Sequence, residues 1–253
     1  MRIIYSLIFI AALPLILLRL RLRARKAPAY KERIRERFGL GRTLHDDKVI
    51  WVHAVSVGEV QAARPLIARL QQSYPNYTIL VTTMTPTGAE RVADLKGNVQ
   101  HRYVPYDTPG CIKRFLYRVR PKLLIVMETE IWPNMLHYCR KQRIPALLIN
   151  ARMSERSASG YAKFPALVKP ALNNYSQIAV QNQADEERLI MLGADPAKTH
   201  VTGSLKFDFQ PPRELANEAG QLRKQWGVLR KVWIAASTHK GEDEQVLEAF
   251  AQI

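Results

Sequence analysis

The chain has 253 residues, an apolar content of 47% and a formal net charge of +16. That length suits one large domain or one and a half ordinary ones, and the apolar content excludes a disordered chain. Cys111 and Cys139 stand in no CxxC or Cys/His spacing, which argues against a disulfide framework or a zinc site and favours a reducing, cytoplasmic setting. The charge indicates a polyanionic partner.

The first element is an apolar run, Ile3–Leu18, followed at once by a dense basic stretch. It is slightly short for a span of about 17–25 residues, but Leu20 and Leu22 extend it if the intervening arginines snorkel. Positive charges mostly follow the run, unlike those of a cleaved signal peptide. We predict a membrane anchor over residues 1–22 and a basic juxtamembrane segment over residues 23–47 on an anionic membrane surface, with the rest cytoplasmic.

Nucleic acid is the competing polyanionic partner. The sequence contains no zinc finger, no RRM signature and no basic-aromatic repeat, so no nucleic-acid partner is expected.

After residue 47, short apolar runs alternate with helical patterns, which predicts a doubly wound parallel α/β domain over residues 48–207 with its ligands at the carboxyl ends of the strands. The predicted strands are Val49–Val55, Thr78–Thr83, Leu123–Met127, Ala146–Ile149, Gln177–Val180, Val201–Gly203 and Val232–Ala236. The predicted helices include Gln61–Gln72, Gly88–Leu95, Trp132–Arg143 and Asp185–Leu192.

A polar stretch over residues 208–230 carries one helical segment, Glu214–Trp226, and is interpreted as a linker. Residues 231–253 then begin a second domain with the strand Val232–Ala236 and the helix Gly241–Gln252. Because a lone strand and helix cannot bury a core, we expect the chain to be truncated inside that domain.

The turn after the first strand reads HAVSVGEV, and three of its residues are candidates for chemistry. Gly58 permits close backbone approach, and the following helix N-terminus offers free N–H groups to an anion or a sugar hydroxyl. Glu59 is a candidate general base. Ser56 and Glu59 also have the spacing of a capping box, which would make both structural.

Two further turns carry polar clusters. METEIWPN places Glu128 and Glu130 after a strand, where one carboxylate can face the cleft while the other caps the next helix. TTMTPTGAERV offers the hydroxyls of Thr85 and Thr87 to a sugar or phosphate, although Thr87 with Glu90 again has capping-box spacing.

The remaining candidates follow later strands. Asn150, Arg152 and Ser154 begin NARMSERSASGYAKF, where paired arginines and serines suit phosphate, and where Ser154 could instead be an N-cap. Lys206 in GSLKFD could neutralise a phosphate or carboxylate, although most lysines are simply solvated. The last candidates, Ser237 and Thr238, lie in STHKGE.

Six strings, HAVSVGEV, TTMTPTGAERV, METEIWPN, NARMSERSASGYAKF, VTGSLKFD and WIAASTHKGEDE, occur in this order after the leader RKAPAY. Together they resemble the Kdo transferases, which transfer 3-deoxy-D-manno-octulosonic acid (Kdo) in lipopolysaccharide biosynthesis. The resemblance implies a two-domain GT-B glycosyltransferase at the inner membrane. Its first domain would bind the lipid A precursor, a tetraacyl disaccharide bisphosphate, and its second would bind CMP-Kdo.

The resemblance also implies an inverting reaction without a cofactor or metal. Glu59 matches the family's proton acceptor, while Glu128 and Lys206 match positions taken to stabilise the transition state. Two other classes of function stay open. One is a catalytically inactive, truncated acceptor-binding module, and the other is a GT-B or epimerase-like enzyme that uses another nucleotide sugar.

Overall fold

The computed structural model describes residues 1–44, 46, 48–208 and 213–252. They form two units, Met1–Phe209 and Gln210–Ile253. The strands of the first unit are β1 (Val49–His53), β2 (Thr78–Thr83), β3 (Val99–Tyr103), β4 (Leu123–Met127), β5 (Ala146–Ala151), β6 (Gln177–Val180) and β7 (Thr199–Val201).

The helices of the first unit are α1 (Arg2–Lys26), α2 (Val57–Ser73), α3 (Pro86–Ala93), α4 (Pro109–Val119), α5 (Pro133–Lys141), α6 (Glu155–Tyr161), α7 (Pro165–Leu172) and α8 (Gln183–Met191). Short 3-10 turns cover Pro28–Lys31, Ile34–Phe38, Pro196–Lys198 and Leu205–Asp208.

The strands form one parallel sheet in the order β3-β2-β1-β4-β5-β6-β7. At its centre, Val52 of β1 lies opposite Val81 of β2 and Ile125 of β4. The predicted α/β class with a parallel sheet is confirmed. Strand order reverses between β1 and β4, and in such sheets the crevice at the carboxyl ends of the two strands is the usual ligand site.

Both faces of the sheet are buried. On one face Trp51, Leu124 and Leu148 pack with residues of α4, α5, α7 and α8, and on the other Val52 and Ile125 pack with α2 and α3. Burial on both faces explains why the central strands read as continuous apolar runs rather than alternating ones.

Several elements of the first unit differ from the sequence prediction. The strand β3 and the helices α4 and α7 are absent from the predicted elements, and β7 occupies Thr199–Val201 rather than Val201–Gly203. The helix α3 begins at Pro86, with Thr85 as its N-cap. The capping box predicted for Thr87 and Glu90 is therefore wrong, because Pro86 fixes the first helical position one residue before Thr87.

The basic segment between α1 and β1 packs on the rest of the first unit. Arg37 is only 2% exposed, and Leu44 N–H donates to the Arg118 carbonyl oxygen over 2.9 Å. Gly39 has φ 72°, and a Cβ on it would lie 2.2 Å from the Cys111 carbonyl oxygen. Only glycine fits that contact, so the segment is closely fitted to the start of α4. The predicted domain boundaries themselves stay predictions.

The second unit contains α9 (Arg213–Trp226) and α10 (Glu242–Phe250). The predicted strand Val232–Ala236 is wrong, since these residues are irregular and exposed. A strand needs a neighbour to complete its hydrogen bonds, and the described part of this unit offers none. Trp233 stacks on Phe250 with ring centroids 5.3 Å apart.

Candidate functional site

The candidate site is a polar cavity at the carboxyl ends of β1, β4, β5 and β6, here called the glutamate cavity. It is lined by Glu59, Glu128, Thr129, Glu130, Arg152, Met153, Ser154, Ser157, Gln181, Asn182, Asp185 and Arg188. The fold thus brings together residues from three sequence motifs and from the turn after β6. The parallel arrangement is the cause, because it places the turns that follow adjacent strands at one edge of the sheet.

Glu59 enters the cavity from the first turn of α2. Its carboxylate accepts hydrogen bonds from Val55 N–H over 2.7 Å and from the Ser56 hydroxyl over 2.9 Å. Glu59 N–H in turn donates to Ser56 Oγ over 3.3 Å. The structural reading of this pair is therefore correct, since Ser56 is the N-cap of α2. Burial raises the pKa of Glu59, these hydrogen bonds lower it and the nearby Glu128 raises it.

Gly58 occupies an open part of the helix start. A Cβ placed on it would have its nearest neighbour, Ser56 Oγ, 3.9 Å away, an ordinary van der Waals contact. The protein itself therefore leaves room for a side chain at this position, beside Glu59.

The second glutamate, Glu128, follows β4 in an unusual backbone conformation. Its φ of 53° lies in the left-handed region, which a residue with a side chain seldom occupies. Such strain concentrates at functional sites. The Glu128 carboxylate lies 3.8 Å from Arg152 Nε, and the Arg152 side chain is 62% exposed. Arg152 is thus a cation at the open mouth of the cavity.

The third glutamate, Glu130, is held by aromatic neighbours. Trp132 Nε1–H donates to its carboxylate, and the Tyr175 hydroxyl donates to its carbonyl oxygen over 2.6 Å. Burial, with Glu59 and Glu128 nearby, raises the pKa of Glu130 to about 7, although the bond from Trp132 opposes the shift. The Glu130 carboxyl can therefore carry a proton near neutral pH.

Asn150 is buried and has φ 54°, again in the left-handed region. Its side-chain oxygen accepts from Leu205 N–H over 3.1 Å, and its carbonyl oxygen accepts from Gln181 Nε2 over 3.0 Å. Asn150 thus ties the end of β5 to the turn that carries Lys206. Its Nδ2 has no hydrogen-bond partner in the part of the chain that the structure describes.

Four predicted residues lie at the margins of the cavity or beyond it. Lys206 is exposed on the turn Leu205–Asp208 and is not a lining residue. Ser154 lines the cavity and caps α6, accepting from Ser157 N–H over 3.2 Å. Thr85 faces a different cavity and accepts a hydrogen bond over 3.3 Å from the exposed Thr87.

Ser237 and Thr238 belong to the second unit. Ser237 has φ 62°, and the two residues follow the irregular stretch 232–236.

Sequence reasoning missed the contribution of the turn after β6. Gln181, Asn182, Asp185 and Arg188 line the glutamate cavity, and the buried Asp185 carboxylate accepts from Met153 N–H over 2.7 Å. The signal was present, because Gln181 and Asn182 stand directly after a predicted strand. Within the described residues, no group of three or more His, Cys, Asp or Glu could hold a metal ion.

A second, mostly apolar cavity adjoins the first, here called the α1 cavity. It has a volume of about 560 Å³ and lies between α1 and the rim of the sheet. Its lining includes Val55, whose N–H binds Glu59, and Trp132, which binds Glu130. The two cavities are therefore linked through these bonds. Three arginines, Arg19, Arg23 and Arg37, add positive charge to its wall.

A family model described as 3-deoxy-D-manno-octulosonic-acid transferase (kdotransferase) matches residues 32–209. The chain belongs to the Kdo transferase family. It is 43% identical over 251 residues to the 3-deoxy-D-manno-octulosonic acid transferase of Haemophilus influenzae, covering 98% of this chain and 59% of that protein. It is 39% identical over 215 residues to the same-named protein of Bordetella pertussis, covering 81% and 48% respectively.

The chain therefore spans 59% and 48% of the lengths of these two Kdo transferases. Among solved structures, the UDP-GlcNAc 2-epimerase of Neisseria meningitidis aligns with a TM-score of 0.47 at 13% identity, covering 72% of this chain and 54% of the epimerase.

Proposed function

We propose that the protein to which this chain belongs transfers Kdo from CMP-Kdo to the lipid A precursor, in a GT-B arrangement. Family membership supports the transfer of Kdo. The observation that carries the mechanism is the buried Glu59, which stands with Glu128 and Glu130 at the crevice between β1 and β4.

In the proposed reaction, an acceptor hydroxyl oxygen attacks the anomeric carbon of Kdo as the bond from that carbon to the CMP phosphate breaks. The bonding electrons leave with CMP, and the hydroxyl proton passes to Glu59. Attack opposite the leaving group inverts the anomeric centre without a covalent intermediate. A raised pKa supports the role of Glu59, since a general base works best when its pKa approaches the working pH.

The other candidates take supporting roles in this proposal. Glu128 stabilises the positive charge that develops on the sugar, while Lys206 and Arg152 face the Kdo carboxylate or the departing phosphate. Asn150 positions Lys206 through its bond to the neighbouring Leu205. The open face of Gly58 receives part of the acceptor sugar, with Ser56 and Ser154 beside it.

The α1 cavity supports a lipid as the acceptor. It offers apolar side chains such as Phe9, Met84 and Trp132 for acyl chains, and arginines for a phosphate group. Thr85 lines this cavity, and the Thr87 hydroxyl donates a hydrogen bond to Thr85. Such an acceptor is delivered in a membrane, so we place the protein on the cytoplasmic face of the inner membrane, attached through α1.

A donor panel tests the proposal. The complete protein, purified in detergent with lipid A precursor as acceptor, is offered CMP-Kdo, another CMP-sugar and UDP-GlcNAc. We expect product only with CMP-Kdo. Transfer or epimerisation with UDP-GlcNAc alone would support the epimerase-like alternative, and acceptor binding without any turnover would support an inactive binding module.

A further inference from the structure

The N-terminal end of α1 is fastened to the first unit by polar contacts. Ser6 is 5% exposed, and its hydroxyl lies 3.0 Å from Asn134 Nδ2. Arg2 Nη1 donates to Asn134 Oδ1 over 2.8 Å. Asn134 is itself fixed, because its Nδ2 donates to the Asp107 carbonyl oxygen over 2.7 Å. A buried serine in an otherwise apolar helix thus has a specific partner on α5.

The rest of α1 follows the same surface. The ring centroids of Phe9 and Tyr106 are 6.3 Å apart, and Ile16, Leu20 and Arg23 line the α1 cavity. The less exposed positions recur with helical spacing, at residues 2, 5, 6, 9, 12, 13, 16, 17, 20 and 24. One face of the helix therefore lies on the first unit along most of its length.

This arrangement does not fit a bilayer span. A helix of 25 residues is about 37 Å long, enough to carry one end across a hydrocarbon core of about 30 Å. Spanning would move Arg2 and Ser6 to the far side of the membrane, away from Asn134. We propose instead that α1 lies in the plane of one leaflet, docked on the first unit by its inner face and embedded in lipid by its outer face.

The chemistry of the outer face identifies its partner as an anionic lipid leaflet. Ile3, Leu7, Ile8 and Leu15 are 62–69% exposed, and no charge interrupts the helix between Arg2 and Arg19. The exposed arginines at positions 19, 21, 23 and 25 follow directly. An apolar face flanked by arginines is typical of helices that lie at the boundary of headgroups and acyl chains. The same arginines would repel a second copy of this helix.

The inference rests on the proposed membrane location, and a cross-linking experiment on the complete protein tests it. Cysteines replace Ser6 and Asn134, and the protein is bound to vesicles of phosphatidylethanolamine and phosphatidylglycerol. A short bis-thiosulfonate linker is then added. We expect an intramolecular cross-link in most molecules, since the two side chains touch. The native Cys111 and Cys139 are buried and do not compete.

The matched control pairs Asn134→Cys with Leu7→Cys, on the outer face, and should cross-link in few molecules. Absence of vesicle binding would contradict the proposed membrane location and, with it, the in-plane arrangement of α1. Binding without the Ser6–Asn134 cross-link would overturn the in-plane helix alone. Dimers formed by the single variant Leu7→Cys would assign the outer face to a second copy and would also overturn it.

A second measurement does not depend on Asn134. Single cysteines at Leu7 and Leu22, both on exposed positions of α1, carry a fluorophore, and lipid quenchers are placed only in the outer leaflet. Protein added from outside should be quenched equally at both positions if α1 lies in that leaflet. Quenching at Leu22 with none at Leu7 would show a span and overturn the proposal.

Discussion

The Glu59 carboxylate caps α2 and lines the glutamate cavity at the same time, so structural and catalytic readings of this residue are compatible. In the complete protein, Glu59→Gln should reduce Kdo transfer by about 10²–10⁴-fold, because the amide cannot take a proton. It should leave the melting temperature almost unchanged, since the amide oxygen still accepts from Val55 N–H. Initial rates and thermal unfolding measure the two effects.

The control for Glu59 is Glu90→Gln, an exposed glutamate on α3, which should keep normal activity. A transfer rate of Glu59→Gln within threefold of the wild-type rate would show that Glu59 is not the general base.

A substitution at Gly58 can distinguish an effect on activity from an effect on folding, because the fold has room for a Cβ there. Gly58→Ala should keep or raise stability, since alanine is favoured over glycine in helices by about 0.5–1 kcal/mol. It should reduce transfer by about tenfold to a hundredfold, because a methyl group displaces the acceptor beside Glu59. Gly160→Ala on α6, where a Cβ meets no atom within 4 Å, is the control. Equal activities of the two variants would contradict a substrate contact at Gly58.

Glu130 makes stability depend on pH. Its folded-state pKa of about 7 exceeds its ordinary value of 4.5, so between these values the folded state binds more protons than the unfolded state. Stability therefore falls as pH rises from 4.5 to 7. Glutamine does not titrate, so Glu130→Gln removes this loss of stability. The difference in the free energy of unfolding between Glu130→Gln and the wild type should therefore be about 1–3 kcal/mol more favourable to the variant at pH 8 than at pH 4.5. Chemical denaturation at both values measures it, and an equal effect at both would refute the shifted pKa.

The sequence motifs contain the main candidate residues but do not indicate the backbone conformations of those residues. Glu128 and Asn150 both adopt positive φ, which nothing in METE or NARM indicates, because the strain is imposed by the turns after β4 and β5. The sequence also does not indicate the hydrogen bond from Leu205 N–H to the Asn150 side chain, because the two residues are 55 positions apart in the chain.

Among the elements, buried strands were predicted well and peripheral ones poorly. The strands β1, β2, β4, β5 and β6 are apolar and covered on both faces, so composition alone reveals them. The edge strand β3 contains Gln100, His101 and Arg102, and among the described residues it pairs with β2 alone. Its polar residues are tolerated because an edge strand is less enclosed, which weakens the pattern.

Two helices that begin with proline, α4 and α7, were also missed. The helix α4 begins with Pro109-Gly110, a dipeptide typical of turns, and α7 begins at Pro165 and contains Pro170. Proline suits the first helical turn, whose N–H groups lack partners in any case, so α4 and α7 form despite it. Apolar contacts of Ile112, Phe115 and Val168 with the sheet stabilise both helices.

The turn Ile34–Phe38 depends on Gly39 for its contact with α4. Gly39→Ala should lower the free energy of unfolding by about 2–4 kcal/mol, because it combines positive φ with a backbone clash at Cys111. Gly203→Ala is the matched control, since Gly203 also has positive φ but no atom within 4 Å of a Cβ. Equal losses in both variants would show that the contact at Cys111 is unimportant.

At the scale of the whole molecule, α1 and the basic segment after it have different relations to the first unit. The outer face of α1 is exposed, whereas Arg37 and Gly39 are fitted into the unit. A version of the complete protein that starts at Pro28 should bind anionic vesicles less, and with a smaller salt dependence, while keeping its fold.

A version that starts at Lys48 should instead lose stability, since Tyr106 and Arg118 lose their contacts with Phe38 and Leu44. Vesicle sedimentation and thermal unfolding of both versions distinguish these outcomes. Equal stability of the two versions would mean that residues 28–47 contribute nothing to the fold.

The contact between Ser6 and Asn134 also sets an order of events during synthesis. The two residues are 128 positions apart, so at about 5–20 residues per second the ribosome needs roughly 6–26 s to produce the second after the first. During that interval α1 is an apolar segment with no docking surface in existence. In the proposed membrane location, lipid is the first surface that α1 meets, and the newly folded sheet then assembles against a helix that already lies in the membrane.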